Sequence, residues 1–517
     1  MAMVEHTLRD PATGALTHVE PERPATGVAS PTAGFDDGPR LLIRPVPLPA
    51  ASRREVAARL TQVIGSSTRH LSPLLGRAAR RRPVDDAVLA KALRKIFDDM
   101  GGSFAKFGQL IGSSPSLFGD EVAAEFRSTL DEVAAVDFAL VREVVEDELG
   151  LPLEHLFIEF DETPLAAASL AVVHRAVLPD GTVVAVKVLR PGIDKKMAVD
   201  LAVMGPFFEF IGAQVAIGIA GELPSLISGL EEQLREELDL RNEARSVRWF
   251  EHLRVTMELD KVRVPLPVEG YVTKRVLTMD FLDGVPVDKA AEIEAMGIDP
   301  APLVQECVKA WFATAICTGA FHGDVHAGNL LITTDGVLGV LDWGIVGRLD
   351  PLTQKFFRRV VEGALGDESA WVDVWTYAKS IYGSMVEQSG LSDEQMAVMV
   401  RMQIEPIFSL PFGEVQLTDL LMDPEMGDPT GGTVSDKPPS EMSTFELWRS
   451  ERRRRREQAA SGVRETDFDR GMFLLGKQLV YFDRYGKMFL PDVPLMWDRA
   501  AFEKLLAEPV VPAEIAP

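Results

Sequence analysis

Cysteine is almost missing from this chain of 517 residues: Cys307 and Cys317 are the two it has. Two thiols make neither a disulfide framework nor a four-ligand zinc site. They read as small buried apolar residues of a reducing compartment. Positive charge is scarce as well. Lys and Arg number 54 against 78 Asp and Glu, for a formal net charge of −24. A nucleic-acid backbone would meet a mostly negative surface, which disfavours bulk nucleic-acid binding. The opening residues, MAMVEHTLRDPATG, lack a basic stretch followed by an apolar one, so no secretory signal is read there. An uninterrupted apolar run of bilayer length is also missing. Residues 201–220 come nearest, but they contain Pro206 and Glu209. A carboxylate at mid-span costs about 3 kcal/mol, and the segment reads as a buried or membrane-peripheral helix. No internal repeat is visible. What is present, 46% apolar and 26% charged residues, is a soluble globular profile, with length enough for a two-lobed domain and extensions.

The chain changes character along its length. Residues 1–50 are rich in Pro, Gly, Ala and Thr without apolar period and read as a disordered tail. Residues 53–82 carry eight arginines against the single acid Glu55, with Val56, Leu60, Val63 and Ile64 at helical spacing. A basic amphipathic helix of this kind either lies on an anionic membrane or packs as a solvated face on an acidic body. Residues 51–150 form a helical extension, broken around GGSFAKFGQLIGSSPSLFG by its glycines. From about 155 the pattern turns to strands. Residues 171–177 and 182–189 flank Pro179-Asp180-Gly181, a turn in which Pro presets φ and Gly accepts a positive φ. Helices are expected over 195–256, and short strands at 262–264, 276–281, 330–333 and 337–341. The expected domains are a β-rich lobe with inserted helices at 151–285 and a helical lobe at 286–410. A flexible linker follows at 411–465, with five consecutive arginines at 452–456, and a C-terminal helical segment and tail at 466–517. The fold class is α+β: a two-lobed, protein-kinase-like fold with an N-terminal helical extension.

Phosphoryl transfer needs a positioned triphosphate, metal-holding oxygens and an acceptor held in line. Val184-Ala185-Val186-Lys187 matches the strand lysine that meets the α- and β-phosphates in kinases. A lysine inside an apolar strand calls for a carboxylate partner on the next helix. His322-Gly323-Asp324-Val325-His326-Ala327-Gly328-Asn329 keeps the kinase catalytic-loop spacing of an Asp and, five positions on, an Asn. Asp324 would orient or deprotonate the acceptor, and Asn329 would help hold Mg²⁺. Eighteen residues after Asp324 stands Asp342-Trp343-Gly344, where kinases place the metal-binding Asp-Phe-Gly triplet. Such hard oxygen donors suit Mg²⁺ bound with phosphate. Met279 falls at the gatekeeper position. The backbone groups of Asp280 and Leu282 are placed to bond adenine, with Asp283 or Asp288 near the ribose.

These residues, with three further motifs, resemble the UbiB/AarF family of atypical kinase-like proteins over roughly residues 90–390. Lys106-Phe107-Gly108-Gln109 looks like that family's Lys-x-Gly-Gln signature. Ala166-Ala167-Ala168-Ser169 looks like the alanine-rich loop that replaces the glycine-rich phosphate loop, and Glu237-Leu238-Asp239 like its Glu-x-Asp motif. The resemblance implies that Glu243 pairs with Lys187. It also implies a regulatory lid, with Lys106, Gly108 and Gln109 folded over the site and Lys106 meeting Glu237, Asp239 belonging to the same element. It implies ATP and Mg²⁺ as cofactors and support of isoprenoid-quinone or lipid metabolism at a membrane. Alanine Cβ atoms keep backbone farther from phosphate than glycines do, although the loop's N–H groups and the Ser169 hydroxyl are still offered.

Two departures from protein kinases bear on the acceptor. The residues after Asp342 run almost at once into a helix from Leu352, without a long activation segment, and the Lys that kinases carry two positions after the catalytic Asp is here His326. Both favour a small or lipid-like acceptor, or water, over a polypeptide. The expected partners are ATP, a prenyl-lipid or quinone precursor and an anionic membrane surface. The expected location is cytoplasmic, peripheral on the membrane's cytoplasmic face. A non-catalytic nucleotide-binding scaffold is the alternative, and a relative of antibiotic or choline kinases a third reading.

Overall fold

Alternation along residues 183–189 decides the centre of the small lobe, because successive strand side chains point to opposite faces. In the computed structural model, which describes residues 7–9, 16–18, 41–78, 86–112, 120–126, 136–214, 223–386, 392–417, 420, 470–507 and 514–515, Val184, Val186 and Val188 lie on one face of this strand. They pack with Val141, Val144 and Val145 of the helix Phe138–Leu149. Ala185 and Leu189 lie on the other face, in a second core. Lys187 shares that second face, which therefore carries one buried ammonium among apolar neighbours.

Number the strands of this sheet β1 (Glu159–Phe160), β2 (Ala166–Ala167), β3 (Ala171–Val177), β4 (Val183–Leu189), β5 (Pro267–Val272) and β6 (Val276–Asp280). The antiparallel order is β1-β3-β4-β6-β5, with β2 also paired to β3. The β3–β4 hairpin turns at Gly181, whose φ of 88° is a left-handed conformation that glycine adopts without a Cβ clash. Strand β5 is absent from the sequence expectations. Its burial is mixed, with Glu269 and Gly270 exposed, so no period-2 signal announces it.

The extension consists of helices α1 (Arg53–Ala78), α2 (Asp86–Met100), α3 (Ser103–Gly112) and α4 (Asp120–Phe126). It packs on α5 (Ile193–Gln214), which is inserted after β4. Aromatic rings join them: Phe97 lies 5.2 Å from Phe126 and Phe107 lies 4.6 Å from Phe208, between ring centroids. Helix α5 contains the first part of the apolar stretch at 201–220. Val203, Met204, Phe207 and Phe208 are buried in this core, and among the described residues no helix is long and apolar enough to cross a membrane. Two more helices, α6 (Leu223–Glu237) and α7 (Leu240–Thr256), lead back to the sheet.

The large lobe is built on α8 (Ala301–Thr318), α9 (Pro351–Ala364), α10 (Ala370–Val386) and α11 (Asp393–Ser409). Here the structure corrects two expected boundaries. The helix α12 (Arg470–Phe489), expected as a separate C-terminal segment, buries Leu474, Leu475, Leu479 and Phe482 in the same core as α8 and α9. Leu41 and Ile43, expected in the disordered tail, are also buried there. The Arg44 N–H donates to Asn242 Oδ1 at 2.9 Å and the Val46 N–H to the Arg235 carbonyl at 3.0 Å. Periodicity shows that a segment is helical or apolar without showing which body covers it. The arginine run 452–456 lies outside the described residues. The whole is α+β, a kinase-like pairing of a small β-rich lobe with a larger helical one.

Candidate active site

The Lys187 ammonium donates to both oxygens of Glu243, at 2.9 and 2.8 Å, and to Asp342 Oδ1 at 3.0 Å. Strand β4 delivers the lysine, the first turn of α7 the glutamate, and the loop after Val340 the aspartate. Burial works against the lysine's charge, but Asp342 and Glu243 outweigh it and hold its pKa above the ordinary value. Burial pushes Glu243 up to about 7 against the pull of Lys187. Asp342 is held well below the usual carboxylate range: the neighbouring ammonium more than offsets its partial desolvation.

Asp342 has a φ of 40°, unusual for a non-glycine residue, and the Gly344 N–H donates back to its Oδ1 at 3.2 Å. The next residue fixes this bend. Trp343 is 1% exposed, donates its indole N–H to the Val340 carbonyl at 3.1 Å, and packs on Phe250 with centroids 4.5 Å apart. Tryptophan in place of phenylalanine thus adds a hydrogen-bonded anchor that holds Asp342 at the cleft.

The loop of Asp324 is stitched to the same place. The Asn329 amide donates to the Asp324 carbonyl at 2.9 Å, and the Asn329 carbonyl accepts the Leu341 N–H at 2.8 Å. His322 is buried, and the Asp324 N–H donates to its Nδ1 at 3.1 Å. That leaves the proton on Nε2, which donates to the Leu341 carbonyl at 3.0 Å. Burial lowers the His322 pKa and keeps this neutral tautomer. Asp324 itself meets a residue that sequence reasoning passed over: Lys477 of α12 donates to its Oδ1 at 2.7 Å. Although Asp324 is largely enclosed, this ammonium and the neighbouring His326 hold its carboxyl below the ordinary value.

On the far side of Lys187, the Lys106 ammonium of α3 donates to Glu237 Oε2. Glu237 lines the cleft together with Lys187, Glu243 and Asp342, so α3 sits against the mouth of the site. Gly108 is buried within that helix, and Gln109 follows it on the same element. The start of α3 is pinned by Asp200, which accepts the Ser103 N–H at 3.1 Å and Arg59 Nε at 2.7 Å. Asp239 has a task other than the lid. It is the N-cap of α7, accepting the Arg241 N–H at 3.1 Å and its guanidinium at 2.6–2.8 Å. It thereby sets the helix that presents Glu243.

The alanine-rich loop is tighter than expected. Ala166 and Ala167 pair with Val173 and Val172, and the Ala168 N–H is taken by the Ala171 carbonyl at 2.9 Å. Arg190 Nε donates to the Ala168 carbonyl at 2.8 Å. The Ala168 N–H is therefore committed to the hairpin. Ser169 is half-buried at the turn. Met279 is buried opposite Ala185, and the Asp280 N–H donates to the Leu266 carbonyl at 3.0 Å. Leu282 follows β6 and packs toward Gly339.

A second cluster was not visible in the sequence. Glu236 is 3% exposed and accepts Arg470 of α12 at 2.7 Å and also Arg348. The two guanidinium groups more than offset its burial and lower its pKa. These partners are 234 and 112 residues away, beyond any local spacing rule. After Asp342 the chain forms a strand Val346–Arg348, paired with Ala320–His322, and α9 begins at Pro351 behind the N-cap Asp350.

The sequence matches the family model described as the ABC1 atypical kinase-like domain over residues 128–373. It is 32% identical over 457 residues to the uncharacterized protein Rv0647c of Mycobacterium tuberculosis, covering 88% of this chain and 84% of that one. It is 31% identical over 418 residues to the uncharacterized aarF domain-containing protein kinase At5g05200, chloroplastic, of Arabidopsis thaliana, covering 79% and 73%. A probable protein kinase UbiB of Marinobacter nauticus is 29% identical over 345 residues, covering 64% and 60%.

Proposed function

The chain belongs to the UbiB/AarF family of ABC1 atypical kinase-like proteins, and from that we propose that it binds Mg-ATP in the cleft and passes the γ-phosphate to a small or lipid-like acceptor or to water. It is an atypical kinase of the UbiB type. The observation that carries the proposal is the Lys187 ammonium gripped at once by Glu243 and Asp342, beside a loop that holds Asp324 and Asn329. Glu243 holds Lys187 where the α- and β-phosphates of a bound nucleotide would take up its remaining charge.

The donor set fits a hard divalent cation. Asp342 is 46% exposed, with its Oδ1 engaged by Lys187 and Gly344, and Asn329 brings an amide oxygen, so these two would hold Mg²⁺ together with phosphate oxygens. The metal, when bound, neutralises charge on the transferred group. Asp324 takes the acceptor's proton as the acceptor oxygen bonds the γ-phosphorus and the bond to the β–γ bridging oxygen breaks, leaving ADP.

The early return to secondary structure after Asp342 supports a small acceptor. A place at the cytoplasmic membrane face, in support of isoprenoid-quinone or lipid metabolism, is part of the same proposal. It is supported by α1, which exposes Leu60 and Ile64 beside Arg53 and Arg54. The test is calorimetry and turnover with Mg-ATP, with and without anionic liposomes and prenyl phenols. Asp342→Asn should lose nucleotide affinity, while Asp324→Asn should bind and turn over about 100-fold more slowly or worse. No heat on titrating wild type with Mg-ATP would end the proposal. Equal background rates for wild type and Asp324→Asn would favour a non-catalytic scaffold.

A further inference from the structure

The catalytic loop is clamped from behind by one face of α12. Gln478, fully buried, accepts the Val325 N–H at 2.8 Å and donates to the Gly323 carbonyl at 2.6 Å. Tyr485 donates its hydroxyl to the Val325 carbonyl at 2.9 Å. Together these bonds fix the backbone on both sides of Asp324. Lys477, one residue before Gln478, is the member of this face that reaches the carboxylate, at 2.7 Å from Oδ1. Both side chains are largely enclosed, at 15% and 20% exposure, so the pair is shielded from the screening that weakens surface ion pairs.

The cation that kinases carry two positions after this aspartate is replaced here by His326. His326 has other work: its Nδ1 accepts the Gly328 N–H at 3.0 Å and so caps the short turn Ala327–Asn329. Its Nε2 stays 3.8 Å from Asp324 Oδ2, beyond hydrogen-bond reach. The local sequence therefore gives the aspartate no hydrogen-bonded cation, and α12 brings one from 153 residues downstream.

We propose that Lys477 is the positioning residue of the phosphotransfer centre, supplied to the loop by the distant helix α12 of the same chain, and that it holds one oxygen of Asp324 so that the other faces the acceptor. The inference rests on the phosphotransfer reading above. It also assigns a role to a residue outside the matched kinase-like region, which ends at residue 373. The lysine holds Asp324 Oδ1 through a charge-assisted hydrogen bond, which fixes the carboxylate's orientation. Neither a neutral amide nor a methionine at position 477 supplies that charge.

The experiment uses the full chain as wild type and as Lys477→Met, Lys477→Gln and Lys477→Arg, with melting curves, Mg-ATP affinity by calorimetry, and kcat and KM for ATP turnover. Lys477→Met and Lys477→Gln should bind Mg-ATP within about threefold of wild type but lose about 100-fold in kcat. Lys477→Arg, which keeps charge and donors, should recover to within about tenfold. A purely structural role would follow stability and show no rescue by arginine. Should the methionine variant fail to fold, the glutamine and arginine pair decides. Wild-type kcat in a folded Lys477→Gln variant would overturn the inference and leave the phosphotransfer reading standing. A wild-type protein that neither binds nor turns over Mg-ATP would remove that reading and the inference with it.

Discussion

Lys106 and Glu237, 131 residues apart, close a hydrogen-bonded ion pair at the mouth of the cleft, one on a helix of the extension and the other at the end of α6. Each is about seven-eighths enclosed, at 14% and 13% exposure. The pair ties a covering helix to the wall that also presents Lys187 and Asp342. Lys106→Ala should release that cover. Nucleotide preference between Mg-ATP and Mg-ADP, or the turnover rate, should shift about tenfold, a coupling of about 1.4 kcal/mol. Stability should fall by about 1–3 kcal/mol, because the enclosed Glu237 carboxylate loses its ammonium. Affinity and turnover both equal to wild type would show that the pair does not gate the cleft.

Asp239 separates a capping role from a lid role. Asp239→Asn keeps an N-cap acceptor for α7, whereas Asp239→Ala removes it and should cost about 1–2 kcal/mol in urea unfolding. Because α7 carries Glu243 in its first turn, turnover should fall with the alanine variant more than with asparagine. Equal stability of the two variants would contradict the capping assignment.

Gly347 is a position where the fold leaves no room. A Cβ built there would stand 2.2 Å from Phe321 Cζ, and Phe321 is fully buried. Gly347→Ala should therefore destabilise by about 3 kcal/mol through overpacking. Adding Phe321→Leu should restore part of the loss, and a double variant no better than the single would place the strain elsewhere.

His174 gives the fold a sensitivity to acid. It is 2% exposed, packs on Phe160 and Phe138, and its Nδ1 donates to the Asp161 carbonyl at 2.8 Å. Burial lowers its pKa below the ordinary 6.5. The unfolded chain therefore binds the proton first on acidification. The stability contributed by the neutral ring is complete above about pH 6.5 and is lost as pH falls from there through the depressed folded value. The wild-type urea midpoint should drop between pH 7 and pH 5.5 by more than that of His174→Phe. Equal drops would assign the acid sensitivity to other groups.

The exposed apolar residues of α1 offer a direct test of membrane contact. Leu60 and Ile64 are 39% and 56% exposed. Replacing both with serine should reduce co-sedimentation with anionic vesicles several-fold while changing stability by about 0.5 kcal/mol or less. Unchanged sedimentation would remove α1 from the proposed membrane face.

Local patterns carried much of the fold into view. The β-branched run around Lys187 is a strand because it alternates between two cores. The turn at Pro179-Asp180-Gly181 is a hairpin because glycine accepts its φ of 88°. The strand Leu330–Thr333 has the limits that its apolar run gave. Strand β5 was not visible, since its exposed Glu269 and Gly270 interrupt the pattern. Residues 41–46 were not visible either, because their partners Asn242 and Arg235 lie about 200 residues away.

The sequence by itself determined the chemistry on offer. Spacing within one loop places Asp324 and Asn329 five residues apart, and a buried strand lysine requires a carboxylate, because an unpaired charge in an apolar lobe is too unfavourable to keep. Only the tertiary structure decided which distant charges meet. It paired Lys477 with Asp324 and Arg470 and Arg348 with Glu236, and it gave Asp239 to a helix cap, whereas the pairing of Lys106 with Glu237 was already implied by the motifs. The physical reason is that ion pairing acts through space at about 3 Å and leaves no periodic trace along the chain. Its partners are set by how α3, α6 and α12 pack.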